Sequence, residues 1–338
     1  MLDSLTPLNF LFRFPGILQK QIKITFRLRI NFMNRAIIPS LIKEEQLHAL
    51  PNDMSPWNQK KRELAKPFAD LTGRYFLDAR IHKGIIRLKS ANPDLIMGET
   101  HCHSTFSDGQ HCVEDILRRA SRLKLDYVVI TDHLLPGKYL TESIIRSWEQ
   151  QTRYVNEWDQ PNDPVKIYPA FELSTLEGHL ILILDPEYLS PKNFLDIKLQ
   201  FSEFDNQFPS MLDVIPKIDS FGGISIVAHP NKKRVYPFGA CINWVRENLI
   251  GLADGIEDIS SGHGFHQESY SEELGLAAIG SSDDHFNLLM GTAVTAYDGS
   301  IHNNLINAVK TRETKAIMID DSLQPLLKLA RRVITAYA

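Results

Sequence analysis

The chain is predicted to be an α/β protein, a barrel of parallel strands with helices between them. Three observations carry the prediction. Short apolar runs alternate with segments whose apolar residues recur at helical spacing, as in successive βα units. Histidines and carboxylates gather where the apolar runs end, and strand ends are where barrel sites are assembled. The 338 residues, 43% hydrophobic and 23% charged, suffice for a full core, in one large barrel or two ordinary domains.

Composition narrows the function. A formal net charge of -4 carries no basic field that would advertise nucleic-acid binding. Cys102, Cys112 and Cys241 form no CxxC pair, and three is an odd count. That usage fits a reducing, cytoplasmic compartment better than a disulfide framework.

Residues 1–53 differ from the rest. Their first 50 residues hold seven Lys or Arg against three acids, with Phe10, Phe12, Phe14, Phe26 and Phe32 interspersed. The apolar piece over 5–18 is interrupted by Arg13 and Pro15, too short and broken for a membrane span, and no small-residue cleavage site follows it. This segment reads as a peripheral or disordered basic extension; an interfacial helix or a nucleic-acid tail is the other reading. Residues 54–94 read as a small β-rich leader, with a helix over 58–71 and strands over 75–81 and 85–88. The alternation Gly84-Ile85-Ile86-Arg87-Leu88 is that of a half-exposed strand. His82 is a surface histidine.

The first βα unit follows. Leu95, Ile96 and Met97 open an apolar run that continues into GETHCH, with His101 and His103 two residues apart. Side chains at i and i+2 of a strand share a face, so both imidazoles can reach one metal ion. Cys102 points the other way. Ser107, Asp108 and Gly109 form a turn that offers a carboxylate. Val113, Ile116, Leu117, Ala120 and Leu123 then make the buried stripe of a helix. Arg118, Arg119, Arg122 and Lys124 suit its C-terminal half. Tyr127, Val128, Val129 and Ile130 form a strand covered on both faces, ending in Thr131, Asp132 and His133.

Later elements repeat the theme. A helix carries Ile144, Ile145 and Trp148, and a polar loop covers 156–164. A strand over 166–171 ends at Glu172. His179 opens the next apolar strand, over 180–184. Helices are predicted over 194–204 and 211–221, and a buried strand over 224–228 closes on Ala228, His229 and Pro230. Pro230 ends the pairing and sets the direction of the chain. After a helix over 241–247, a strand over 255–259 and a helix over 267–274, Ala277 to Gly280 lead into Ser281-Ser282-Asp283-Asp284-His285. Asp283 and His285 repeat the i, i+2 spacing. A strand over 292–297, a helix over 301–310 and a strand over 315–319 complete the unit, and a C-terminal helix is expected over 321–338.

The series HxH, Ser-Asp-Gly, Thr-Asp-His, Phe171-Glu172-Leu173-Ser174 with Gly178-His179, Ala228-His229-Pro230 and Asp283-x-His285 resembles the PHP family. This is the polymerase and histidinol phosphatase group of metal-dependent phosphoesterases. The resemblance implies a distorted (β/α)7 TIM-like barrel over 95–320. It also implies a trinuclear site whose nine ligand positions are all filled here. His101 and His103 would hold one metal with Glu172 and Asp283. Glu172 would bridge to a second held by His179 and His229. Asp108, His133 and His285 would hold the third. Imidazole and carboxylate donors without cysteine fit Mn²⁺, Fe²⁺ or Zn²⁺, two to three ions in all.

Six of the twelve histidines sit at strand ends beside Glu172, Asp283 and Asp108. Clustered this way, they are costly neighbours without a cation to neutralise the carboxylates and order the rings. Such metals would lower the pKa of a water and supply hydroxide at neutral pH for attack on a phosphoester. Asp132 would orient a ligand or pass a proton to the leaving group. Lys232, Lys233 and Arg234 either grip the substrate's polar end or form a solvated loop, and His263 is a further candidate for substrate contact. The expected substrate is a small phosphomonoester, a nucleotide or sugar phosphate. An exonuclease acting on phosphodiester ends with the same metals is the first alternative, and a non-catalytic metal-binding or interaction module the second. The segment between His133 and Glu172 is long, and no large insertion separates Glu172 from His229, so the substrates of nucleotide-cleaving members do not transfer directly. Nothing in the sequence bears on oligomeric state.

Overall fold

A computed structural model of the chain describes residues 77–157, 165–231, 239–262 and 266–320. The expectations for 1–53, for the helix over 58–71, for Lys232, Lys233, Arg234 and His263, and for the helix over 321–338 lie outside those residues.

The described chain opens with a helix, α1 (Asp78–Ala91), where strands were predicted over 75–81 and 85–88. Leu77, Ile81 and Ile85 are all buried and recur at helical spacing. The alternation that pointed to a strand spans only five residues, too few to separate the two periods. Gly84 lets α1 sit against the end of the last strand: a Cβ there would lie 2.4 Å from Ile319 Cγ2.

Then come β1 (Leu95–Cys102), α2 (Val113–Leu123), β2 (Tyr127–Ile130), β3 (His133–Leu134), α3 (Thr141–Glu157), β4 (Lys166–Ser174) and β5 (His179–Ile183). The chain continues through α4 (Pro191–Phe201), α5 (Met211–Ser220), β6 (Ile224–Val227), α6 (Ile242–Asn248), β7 (Gly255–Ser260) and β8 (His266–Gln267). It closes with α7 (Tyr270–Leu274), β9 (Ala277–Ser281), β10 (Ala293–Asp298), α8 (Leu305–Lys310) and β11 (Thr314–Met318).

The strands form one curled sheet in the order β11-β10-β1-β2-β4-β5-β6-β7-β8, with β3 beside β4 and β9 beside β7. It is not all-parallel, as the alternation of elements had predicted. β1, β2 and β4 run parallel, as do β6, β7 and β9, but β5 is antiparallel to both β4 and β6, and β10 to both β1 and β11. Only four residues separate β4 from β5, enough for a hairpin and too few for the crossover that parallel pairing needs.

Alternation along the strands builds the core. Tyr127 and Val129, Tyr168 and Ala170, Ile181 and Ile183, and Ile224 and Ile226 face the inside of the curl, where Leu305, Ile306 and Val309 of α8 join them. Their neighbours Val128 and Ile130 pack under α1 and α2, while Leu180 and Leu182 pack under α3, α4 and α5. The two ends of the curl approach one another beyond Cys102. There His103 N donates to Asp284 O at 3.0 Å, and Cys102 forms an isolated parallel bridge with Asp284. Deeper in, the join is made by side chains, with Thr100 Oγ1 donating to Gly280 O at 3.0 Å and Thr314 Oγ1 to Ala278 O at 2.8 Å.

Candidate metal centre

Every predicted ligand lands at one rim of this curl. His101 and His103 leave the end of β1, His133 begins β3 beside Glu172 of β4, His229 follows β6, and Asp283 and His285 follow β9. His179 arrives differently. It is the first residue of the antiparallel β5, paired with Ser174, and an antiparallel strand presents its start where its neighbours present their ends.

Two of these residues hold unusual backbones: His229 at φ 27° and Asp283 at φ 44°. Left-handed conformations cost non-glycine residues about 1–3 kcal/mol and cluster at functional sites. Glycines fit the loops around them. A Cβ on Gly109 would lie 2.2 Å from the carbonyl oxygen of His103, and one on Gly262 would lie 2.2 Å from that of Ser282. Gly109 of the Ser-Asp-Gly turn therefore allows the Asp108 loop to lie directly on the His103 backbone.

The nine side chains fall into four overlapping groups able to hold a metal ion: His101, His103 and Asp283; His101, Glu172 and His229; His133, Glu172 and His179; and His103, Asp108, His133 and His285. Donors about 2.1 Å from a shared ion stand roughly 3.0–3.4 Å apart in octahedral or tetrahedral arrangements. His101 Nε2 and His103 Nε2 are 3.1 Å apart. Glu172 Oε2 lies 3.3 and 3.4 Å from them, and Asp283 Oδ1 lies 3.5 Å from each. The other oxygen of Glu172, Oε1, meets His179 Nδ1 at 2.7 Å and His229 Nε2 at 3.0 Å. One carboxylate thus faces two sets of imidazoles. Asp108 Oδ1 lies 3.2 Å from His285 Nε2 and 3.5 Å from His133 Nε2, with His103 Nδ1 at 4.0 Å. The groups share members more widely than the family pattern implied, with His101, His103 and His133 each serving two, as Glu172 does.

The hydrogen-bonding capacity of these atoms is not used up. Glu172 Oε2, Asp108 Oδ1 and His103 Nδ1 are buried and make no hydrogen bond. Buried polar atoms are rarely left so, and a cation is what a ring of acceptor lone pairs would take. The electrostatics of the cluster shows the same demand. Burial raises the Glu172 carboxyl, but His179, His101 and His133 outweigh it and hold the group well below the usual carboxylate range. Burial lowers His133, yet Asp108 and Glu172 push it up to about 10. His103 is pushed down, by burial and by His285 and His133. The carboxylates thus favour positive charge on the rings around them, and divalent cations would supply such charge directly.

Asp132 meets the loop that carries Asp108, in keeping with the first of its two expected roles, orienting a ligand. Its Oδ1 accepts from Ser104 N and Ser107 Oγ, both at 2.8 Å, and its Oδ2 from Ser104 Oγ and Ser147 Oγ, both at 2.7 Å. Buried and held by three serines, it organises the loop that carries Asp108.

Three acidic residues escaped the sequence reading. Glu257 lies in the middle of β7, where two adjacent acids, Glu257 and Asp258, between Ile256 and Ile259 were the available signal. Glu99 precedes His101 by two residues and accepts backbone N–H bonds from Thr100, His101, Ser282 and Gly291. Asp284 lies between Asp283 and His285 and accepts from the backbone N–H groups of Phe286, Leu289 and Met290. Nothing in the sequence marks it apart from its neighbours.

The chain resembles the PHP family in the order of its motifs. No family model matches it, and no curated protein does. Among solved structures, it is similar to PsfC from Pseudomonas syringae, at 16% identity over 71% of this chain and 98% of that one, with a TM-score of 0.47. It is also similar to a two-domain protein from Bacteroides vulgatus containing a predicted PHP-like metal-dependent phosphoesterase, at 19% identity over 66% and 65%, with a TM-score of 0.45. Endonuclease Q, in complex with a duplex bearing an abasic lesion, is similar at 13% identity over 64% and 57%, with a TM-score of 0.44. At these scores the likenesses carry no functional weight of their own. No described helix is long and apolar enough to cross a membrane.

Proposed function

We propose that the chain is a metal-dependent phosphoester hydrolase, acting on a small phosphomonoester such as a nucleotide or sugar phosphate. The observation that supports this most is the convergence of nine imidazole and carboxylate donors, several of them buried without a hydrogen bond, at one rim of the sheet. His101, His103, Glu172 and Asp283 would hold one divalent ion. His179 and His229 would hold a second with the other oxygen of Glu172. Asp108, His133 and His285 would hold a third. Such ions, when bound, supply Lewis acidity that brings the pKa of water near neutrality and offsets phosphoryl charge.

The residues themselves position and exclude. Glu172, wholly buried, sets the spacing between two donor sets through its two oxygens. Asp108 enters from the Ser-Asp-Gly loop, the most exposed of the nine, and marks the side from which a substrate would arrive. No serine or cysteine nucleophile is called for. Mn²⁺, Fe²⁺ and Zn²⁺ all suit the donors.

The test is elemental analysis of protein purified without chelator and then loaded with Mn²⁺ or Zn²⁺, followed by assays on mononucleotides, sugar phosphates and short oligonucleotides. Two to three equivalents of metal and turnover of a phosphomonoester are expected. Less than one equivalent after loading would sink the metal centre. Turnover confined to oligonucleotides would replace the phosphomonoester by a phosphodiester.

A further inference from the structure

Glu257 is buried in β7 and belongs to none of the four donor groups. It nevertheless reaches two residues that do. Its Oε1 lies 2.8 Å from His101 Nδ1 and accepts from Ser281 Oγ at 2.5 Å, and its Oε2 accepts from the backbone N–H of His229 at 2.6 Å. The carboxylate lies where β7 is flanked by β6 and β9, so it ties the last residue of β9 and the segment after β6 to the end of β1.

The chemistry of the contact is directional. An ionised carboxylate only accepts, so the atom facing it on His101, Nδ1, carries the proton. A neutral imidazole has one N–H, so Nε2 keeps its lone pair. Nε2 is the atom that stands 3.1 Å from His103 Nε2, 3.3 Å from Glu172 and 3.5 Å from Asp283. The opposite tautomer would aim a hydrogen into the donor set and leave Glu257 facing a lone pair.

We propose that Glu257 is a positioning residue of the metal centre: it selects the Nδ1–H tautomer of His101, so that Nε2 ligates, and it holds His229 in its left-handed backbone. The inference rests on the metal-centre reading above. Outer carboxylates of this kind orient ligating histidines, and their loss costs about 10–100-fold in metal affinity.

Two measurements on the full-length chain test it. In ¹⁵N-histidine-labelled, Zn²⁺-loaded protein, His101 should carry its proton on Nδ1 and zinc on Nε2. In chelator competition, Glu257→Gln should bind Zn²⁺ about 10–100-fold more weakly, because an amide cannot accept from both His101 and His229. Glu257→Asp, which keeps the charge at shorter reach, should recover part of the loss. Ligation of His101 through Nδ1 in the wild type overturns the proposal, and so does undiminished affinity in a folded Glu257→Gln protein. Should Glu257→Gln fail to fold, the wild-type tautomer alone decides. A wild-type chain that takes up no Zn²⁺ brings down the metal-centre reading and this inference with it, an outcome plainly different from a loaded chain with the wrong tautomer.

Discussion

Glu172 is the residue on which the donor set turns. Its two oxygens face different imidazoles, His179 and His229 from one and His101, His103 and His133 from the other. Glu172→Gln keeps the volume but replaces one oxygen by an amide nitrogen, which cannot ligate. Changes outside the ligand shell cost about 10–100-fold, and loss of a bridging ligand should exceed that. Turnover of whichever phosphoester the wild type hydrolyses is therefore expected to fall by roughly 10³-fold or more, with circular dichroism unchanged because the core is apolar. Near-normal turnover would mean that Glu172 bridges nothing. Glu99 behaves differently. Burial outweighs its four backbone N–H bonds and raises its carboxyl from 4.5 to about 7. Between those values the folded chain keeps a proton that the unfolded chain has lost, so this group makes stability fall as pH rises from about 4.5 to about 7. The full loss is about 3 kcal/mol. Denaturant unfolding at pH 5 and pH 8 should show a smaller difference for Glu99→Gln than for the wild type, and an equal difference would show that Glu99 does not titrate in that window.

At the scale of elements, α1 is tied to the site by one buried side chain. Arg119 of α2 donates to Asp78 at the start of α1 at 2.8 and 3.0 Å and to Leu288 O at 2.9 Å, and it lies 3.4 Å from Asp284. Asp284 in turn shapes the turn after Asp283 through its bonds to Phe286, Leu289 and Met290. Removing one partner of a buried ion pair costs about 3–5 kcal/mol, because a charge is left without its counterpart. Arg119→Met should lower the midpoint of urea unfolding accordingly, whereas Arg118→Met, on the exposed face with Glu114, should leave it almost unchanged. Equal effects would mean that Arg119 is not the tie between α1 and the site loop. α1 is also where the sequence reading went astray. Gly84-Ile85-Ile86-Arg87-Leu88 satisfies both periods over its short span, and only the place of Leu77, Ile81 and Ile85 against β11 and α2 decides for helix.

At the scale of the molecule, the nine side chains come from β1 and the segment after it, from β3, β4 and β5 and from the segments after β6 and β9, so bound metal would link both halves of the sheet. Ligands that bind only the folded chain stabilise it by mass action, by about 2.7 kcal/mol for one site at a free concentration a hundred times Kd. Chelator-treated protein should therefore melt at a lower temperature than protein loaded with Mn²⁺ or Zn²⁺, and the gap should widen with metal concentration. Identical melting curves would show that no metal bridges the rim.

Most of this protein's elements, and the nine side chains that the fold gathers at one rim, were legible in the sequence. Hydrophobic period is a local property, and His101 with His103, or Asp283 with His285, advertise a shared face by spacing alone. For residues far apart in the chain, only the resemblance to the PHP family implied a grouping. Tertiary structure alone decided three things. It showed that β5 and β10 run antiparallel, which depends on which strand each meets. It tied Asp132 to the loop of Asp108 by placing Ser104, Ser107 and Ser147 around it. And it brought Glu257 to His101 across 156 positions of chain. A buried acid is recognised by what surrounds it, and those surroundings come from other strands, which no local pattern records.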